Sequence, residues 1–212
     1  MYKIFLLFLA SFFFFSCQKE KFNQDVDDFQ SELRPSLKSL LGDNYLPSRD
    51  TVARSFLTKH ATIQDLEQLM DCKYPMLRII AYQTIVDRQE YEYFNLLLNH
   101  LSDTARVKFW FDEDILNNSQ ISSLMIMKAN EDNGLSPIQK KQLIRTVLLQ
   151  HPYLDISNSM IRDIEPDEEF YELIKNRAIS YTQDCNKQLI NSFALSKFNK
   201  KEDVNFLNQV FS

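Results

Sequence analysis

Residues 66–101, LEQLMDCKYPMLRIIAYQTIVDRQEYEYFNLLLNHL, decide the reading of the fold. After Pro75, the residues Leu77, Ile80, Ala81, Thr84 and Ile85 recur at the spacing of one helix face. A polar break follows at residues 87–90, and then Phe94, Leu97, Leu98 and Leu101 repeat the pattern. Two antiparallel helices joined by a short turn are expected. Such a hairpin leaves apolar surface on both faces, so it needs neighbours of the same kind.

Laying the chain over itself supplies those neighbours. At an offset of 28, Val52, Ala53, Leu57, Leu66, Leu69 and Met70 fall on Ile80, Ala81, Ile85, Phe94, Leu97 and Leu98. Every match is apolar on apolar, and the small Ala is kept. At an offset of 138, Val52, Leu57, Thr58, Lys59, Asp65, Leu66 and Leu69 fall on Ile190, Leu195, Ser196, Lys197, Asp203, Val204 and Leu207. The unit therefore recurs at the end of the chain. A small residue in mid-helix lets a neighbouring helix approach closely.

The residues Leu69, Met70 and Asp71, followed by Leu77, Arg78, Ala81 and Ile85, resemble the turn and first helix of a HEAT repeat. Asp103 recurs 32 residues after Asp71, a period suited to short units of this kind. The resemblance implies an α-solenoid of stacked antiparallel hairpins, or an irregular helical bundle, in which Asp71 and Arg78 are structural. It covers about half the chain and fails after Asp103, where Arg106 follows too soon, and across residues 117–162.

Outside that core the elements read as helices. Phe29, Leu33, Leu37 and Leu41 share a face, with Pro35 as restart and Gly42 as stop. Thr62 with Asp65 caps a helix, and Ser136 with Pro137 opens another that carries Leu143, Ile144, Val147 and Leu148 until Pro152. Residues 104–111 are expected to be helical and 112–118 a polar turn. A short helix is expected within residues 155–164, and Pro166 with three acids opens the next. No segment reads as a strand, so the fold expected is all α, a single repeat domain over residues 24–212.

The N-terminus reads as a targeting signal. Lys3 precedes an apolar run over residues 4–15, broken only by Ser11 and ending at Ser16 and Cys17. The run is too short to span a bilayer, which takes about 20 helical residues. It resembles a bacterial lipoprotein signal (residues 1–16), which implies that Cys17 is diacylated and becomes the first residue of a tether over residues 17–23. The bulky Phe14 departs from the usual Leu. Gln18, Lys19 and Glu20 resemble the export tract that sends surface lipoproteins of Bacteroidota to the outside of the outer membrane. A periplasm-facing anchor is the alternative.

Removing residues 1–16 takes away one positive charge, Lys3, and moves the formal net charge from −5 to −6. An acidic chain without a basic patch is a poor partner for nucleic acid but leaves a protein partner open. His60, His100 and His151 have no partner at metal-ligand spacing, and the runs at 112–114 and 131–134 lack the alternating oxygens of a calcium loop. In an exported protein Cys72 and Cys185 could be paired across a long loop, but two half-buried helical thiols are the favoured reading. No serine elbow, phosphate loop or dinucleotide fingerprint occurs, so no cofactor, metal or catalytic residue is assigned. Phe109, Trp110 and Phe111 are consecutive, so on a helix one of them must face outward; with Tyr91 and Tyr93 they form a candidate aromatic binding surface. The functional expectation is a membrane-anchored helical-repeat module that binds another envelope macromolecule. The alternatives are an envelope hydrolase acting on glycan or peptide, or an acidic inhibitor of immunity type.

Overall fold

The computed structural model describes residues 22–42, 45–47, 50–90, 93–112, 115–131, 134–180 and 184–212. Most of them are helical. The helices are α1 (Arg34–Leu41), α2 (Thr51–His60), α3 (Ile63–Met70), α4 (Pro75–Asp87), α5 (Tyr93–Asn99) and α6 (Ile121–Asn130). They continue as α7 (Pro137–Gln150), α8 (Ser157–Arg162), α9 (Glu168–Ser180), α10 (Cys185–Ser196) and α11 (Val204–Phe211).

Their starts follow from local side-chain chemistry. Thr62 Oγ1 accepts from Asp65 N at 3.1 Å while Asp65 accepts from Thr62 N at 2.8 Å, a reciprocal cap that opens α3. Ser136 and Gln139 do the same for α7, with Pro137 in the first turn. Asp50 and Asp184 accept from Ala53 N at 2.8 Å and Lys187 N at 3.1 Å, capping α2 and α10. Gly42 ends α1 in a right-handed conformation, so no special backbone geometry requires glycine there.

The chain divides into two compact units. The first comprises the described residues up to Glu90 together with Val107–Asn117; the second comprises those of Tyr91–Arg106 and Asn118–Ser212. In the first unit α1 packs on α2 and α4, and α3 packs on α4. Helix α4 is buried on nearly every side, from Met76 and Leu77 round to Ala81, Tyr82 and Ile85. A helix apolar all round belongs in an interior, not at a surface. In the second unit α9 packs on α10, α10 on α8 and α11, α5 on α6, and α7 on α8. Its main cluster contains Leu148, Ile161, Phe170, Ile174, Ala178, Ala194 and Leu195.

The all-α expectation needs one correction. A three-stranded sheet of order β1-β2-β3 is formed by Tyr45–Leu46, Arg106–Asp112 and Ile115–Gln120. Strand β1 runs parallel to β2, with Tyr45 opposite Lys108 and Leu46 opposite Phe109. The residues read as a helix over 104–111 and a turn over 112–118 are therefore mainly strand. In RVKFWFD burial alternates along the strand: Val107 is buried, Lys108 exposed, Phe109 half-buried and Trp110 exposed. That period of two, in β-branched and aromatic residues, favours a pleated strand over a helix.

Candidate functional site

The residues marked by the sequence are scattered in the structure. Cys17, Gln18, Lys19, Glu20 and Tyr91 lie outside the described residues, as does the Phe111 side chain. Phe109 and Trp110 sit on β2, so the helical argument that grouped them is replaced by the alternation of a strand. Trp110 is 37% exposed and meets Tyr45 edge-on, with ring centroids 5.8 Å apart at 84°. Tyr45 is a partner that the sequence reading did not indicate. Tyr93 belongs to the second unit, where its hydroxyl donates to the Gly134 carbonyl. Gly134 must lack a side chain, since a Cβ there would come within 2.8 Å of the Ala129 carbonyl oxygen.

The second unit contains a groove of about 490 Å³ between the end of α6, α7 and α8. Met127, Leu143, Ile144, Ile156 and Met160 supply its apolar lining, and Glu131, Lys140 and Asp163 its charges. A second cavity of about 570 Å³ adjoins it, sharing Lys140, Ile144 and Asp163 and reaching Pro166 and Phe170. Glu131 pairs with Lys128 at 2.7 Å, Asp163 with Arg162 at 2.9 Å, and Asp167 with Lys141 at 2.6 Å. The hydrogen bond from Arg162 lowers the pKa of Asp163, and that from Lys141 lowers Asp167. Carboxylates held ionised in this way are counter-charges, not proton donors. Sequence reasoning missed Met127, Lys140 and Met160 as a group because they lie on three different helices with no shared spacing.

A polar network joins α9 to the turn before α11. The Tyr171 hydroxyl lies 2.7 Å from a Glu202 oxygen and 2.8 Å from an Asp203 oxygen, and Lys175 donates to it at 3.0 Å. Lys175 also pairs with Asp203 at 3.0 Å, while Lys200 stands 3.9 Å over the Tyr171 ring. Burial pushes the Tyr171 phenol up to about 12, and bonds to Tyr171 and Asp203 raise Lys175 further above its ordinary value. At neutral pH the phenol stays protonated and the amine charged. The cluster thus lacks a free base or an activated nucleophile, and it acts as a fastening for the C-terminal hairpin.

That hairpin presents an apolar surface. Leu189 and Phe193 on α10 are about half exposed, as are Val204 and Phe211 on α11. Their spacings of four and seven place each pair on one helix face. Helix α11 has no fully buried residue and no charged one; Phe206 and Leu207 are packed in part against the core cluster.

Other reactive groups are set for structure. Cys72 is a buried free thiol whose pKa burial lifts to about 11, and Cys185 is a free exposed thiol. His60 stacks on Phe56 at 4.2 Å, and His151 lies 2.8 Å from the Tyr153 hydroxyl. Among the described residues no group of three His, Cys, Asp or Glu side chains is placed to hold a metal ion, and no helix is long and apolar enough to cross a membrane. No known protein family, curated protein or solved structure matches the chain.

Proposed function

We propose that the chain is a lipid-anchored protein of the bacterial envelope whose stacked helical hairpins, HEAT-like in arrangement, bind another protein. The observation that carries this reading is the exposed apolar face of α10 and α11, formed by Leu189, Phe193, Val204 and Phe211. Large apolar side chains left half exposed on two helices that pack together suit an interaction surface. A protein partner fits better than the bilayer itself, because α11 carries no Lys or Arg, and Lys187, Lys197 and Lys200 beside it are held by Asp184, the Arg162 carbonyl and Glu168. Helices that lie on anionic membranes place basic residues on their polar face. Recurrence of the hairpin pattern and the burial of Ala53 and Ala81 support the stacked arrangement. The lipid anchor rests on the apolar run that ends at Cys17.

The test is capture from detergent-solubilised membranes with the tagged full chain, compared with a Phe193→Glu/Phe211→Glu variant. Both positions are about half exposed, so the variant is expected to melt within a few degrees of the parent. The parent should retain a partner that the variant loses at least tenfold. The same bound proteins on both baits would overturn the reading.

A further inference from the structure

We infer that the groove between α6, α7 and α8 is a binding site for a small amphiphilic anion, a medium-chain carboxylate whose charged head meets Lys140. This goes beyond the protein-binding role and uses a different set of residues from the α10–α11 face. The groove is of a size that takes a small organic ligand, ~300–1,000 Å³, and its lining is mostly aliphatic and thioether. Met127 and Met160, unbranched and polarisable, adapt to a flexible alkyl chain better than branched residues do.

Charge decides the head group. Of the three charged side chains that line the groove, Glu131 is neutralised by Lys128 and Asp163 by Arg162. Lys140 is half-buried, and its side chain has no ion-pair or hydrogen-bond partner among the described residues. Lys141, its neighbour in sequence, is by contrast held by both Asp167 at 2.6 Å and Glu169 at 3.2 Å. An ammonium without a counter-charge at the edge of an apolar groove is satisfied by one anionic oxygen group. A single positive charge matches a carboxylate; a doubly charged phosphate would leave one charge uncompensated. A neutral alcohol would forgo the ion pair, and an amine would oppose it.

The experiment holds the full chain in phosphatidylcholine nanodiscs and uses an octanoate analogue with a diazirine on its tail. After irradiation, labelled peptides are mapped by mass spectrometry. Labels should fall on α6, α7 and α8, and unlabelled octanoate should displace them at concentrations about tenfold lower than octanol or octylamine. Lys140→Arg should keep the labelling, and Lys140→Gln should weaken it about tenfold with an unchanged melting temperature. Met127→Asp, at an exposed helix position, should abolish it by placing a charge in the apolar lining that takes the alkyl tail. Labels confined to other segments, or groove labelling indifferent to both Lys140→Gln and Met127→Asp, would overturn the proposal.

Discussion

Arg88 holds the C-terminal end of α2 from about thirty residues away. Its guanidinium donates to the Thr58 and Ala61 carbonyls at 2.9 Å and to Leu57 at 3.2 Å; Thr58 lies in the last turn of α2, where helix carbonyls lose their internal partners, and Ala61 directly follows the helix. A cation is also favoured at that negative end of the helix dipole. Arg88→Met keeps the aliphatic stem and removes all of these bonds, so it should destabilise the fold by about 2–3 kcal/mol in urea denaturation. A change below about 0.5 kcal/mol would show that water replaces the guanidinium without cost. Not all residue roles were equally legible. The pairing of Thr62 with Asp65 can be read from three residues of sequence because a capping box is local. The cap from Arg88, or the edge contact of Tyr45 with Trp110, depends on where distant segments come to rest.

Among the elements, α4 shows how periodicity succeeds and β2 how it fails. The spacing of Leu77, Ile80, Ala81 and Ile85 suffices to place a helix after Pro75. It does not announce that Met76, Ile79 and Tyr82 are buried as well, since that depends on how many neighbours surround the element. Strand β2 was hidden because seven residues rich in Phe and Trp fit a short buried helix nearly as well as a strand. Its pairing with a two-residue strand sixty positions earlier has no local signature. Ala81 is fully buried on α4, whose neighbours in its unit are α1 and α3. Ala81→Leu adds three carbons with no void to take them and should cost about 1–3 kcal/mol through displaced helices. The exposed position Val52→Leu is the control, with an expected change within about 0.5 kcal/mol. Equal melting temperatures for the two variants would show that α4 is loosely packed.

At the scale of the whole molecule, the division into two units cuts the chain three times, with Val107–Asn117 returning to the first unit after α5 has joined the second. No composition shift marks those crossings, which is why one domain was expected. The proposed anchor, by contrast, rests entirely on local sequence: an apolar run, a small residue, and Cys17. Under the proposed function the lipid fixes the chain at a membrane, and the tract Gln18, Lys19, Glu20 sets the side on which the helical units stand. Acylation and sorting are separable chemically, because the first needs the Cys17 sulfur and amine while the second needs only the polar side chains that follow. Replacing Gln18, Lys19 and Glu20 with alanine should therefore leave incorporation of labelled fatty acid intact, whereas Cys17→Ser should abolish it. Protease added to whole cells should digest the parent and spare the alanine variant, which becomes cleavable only after lysis. If the parent resists the protease in whole cells and is cut in lysed ones, the protein faces the periplasm, and its partner for the α10–α11 face must be sought there.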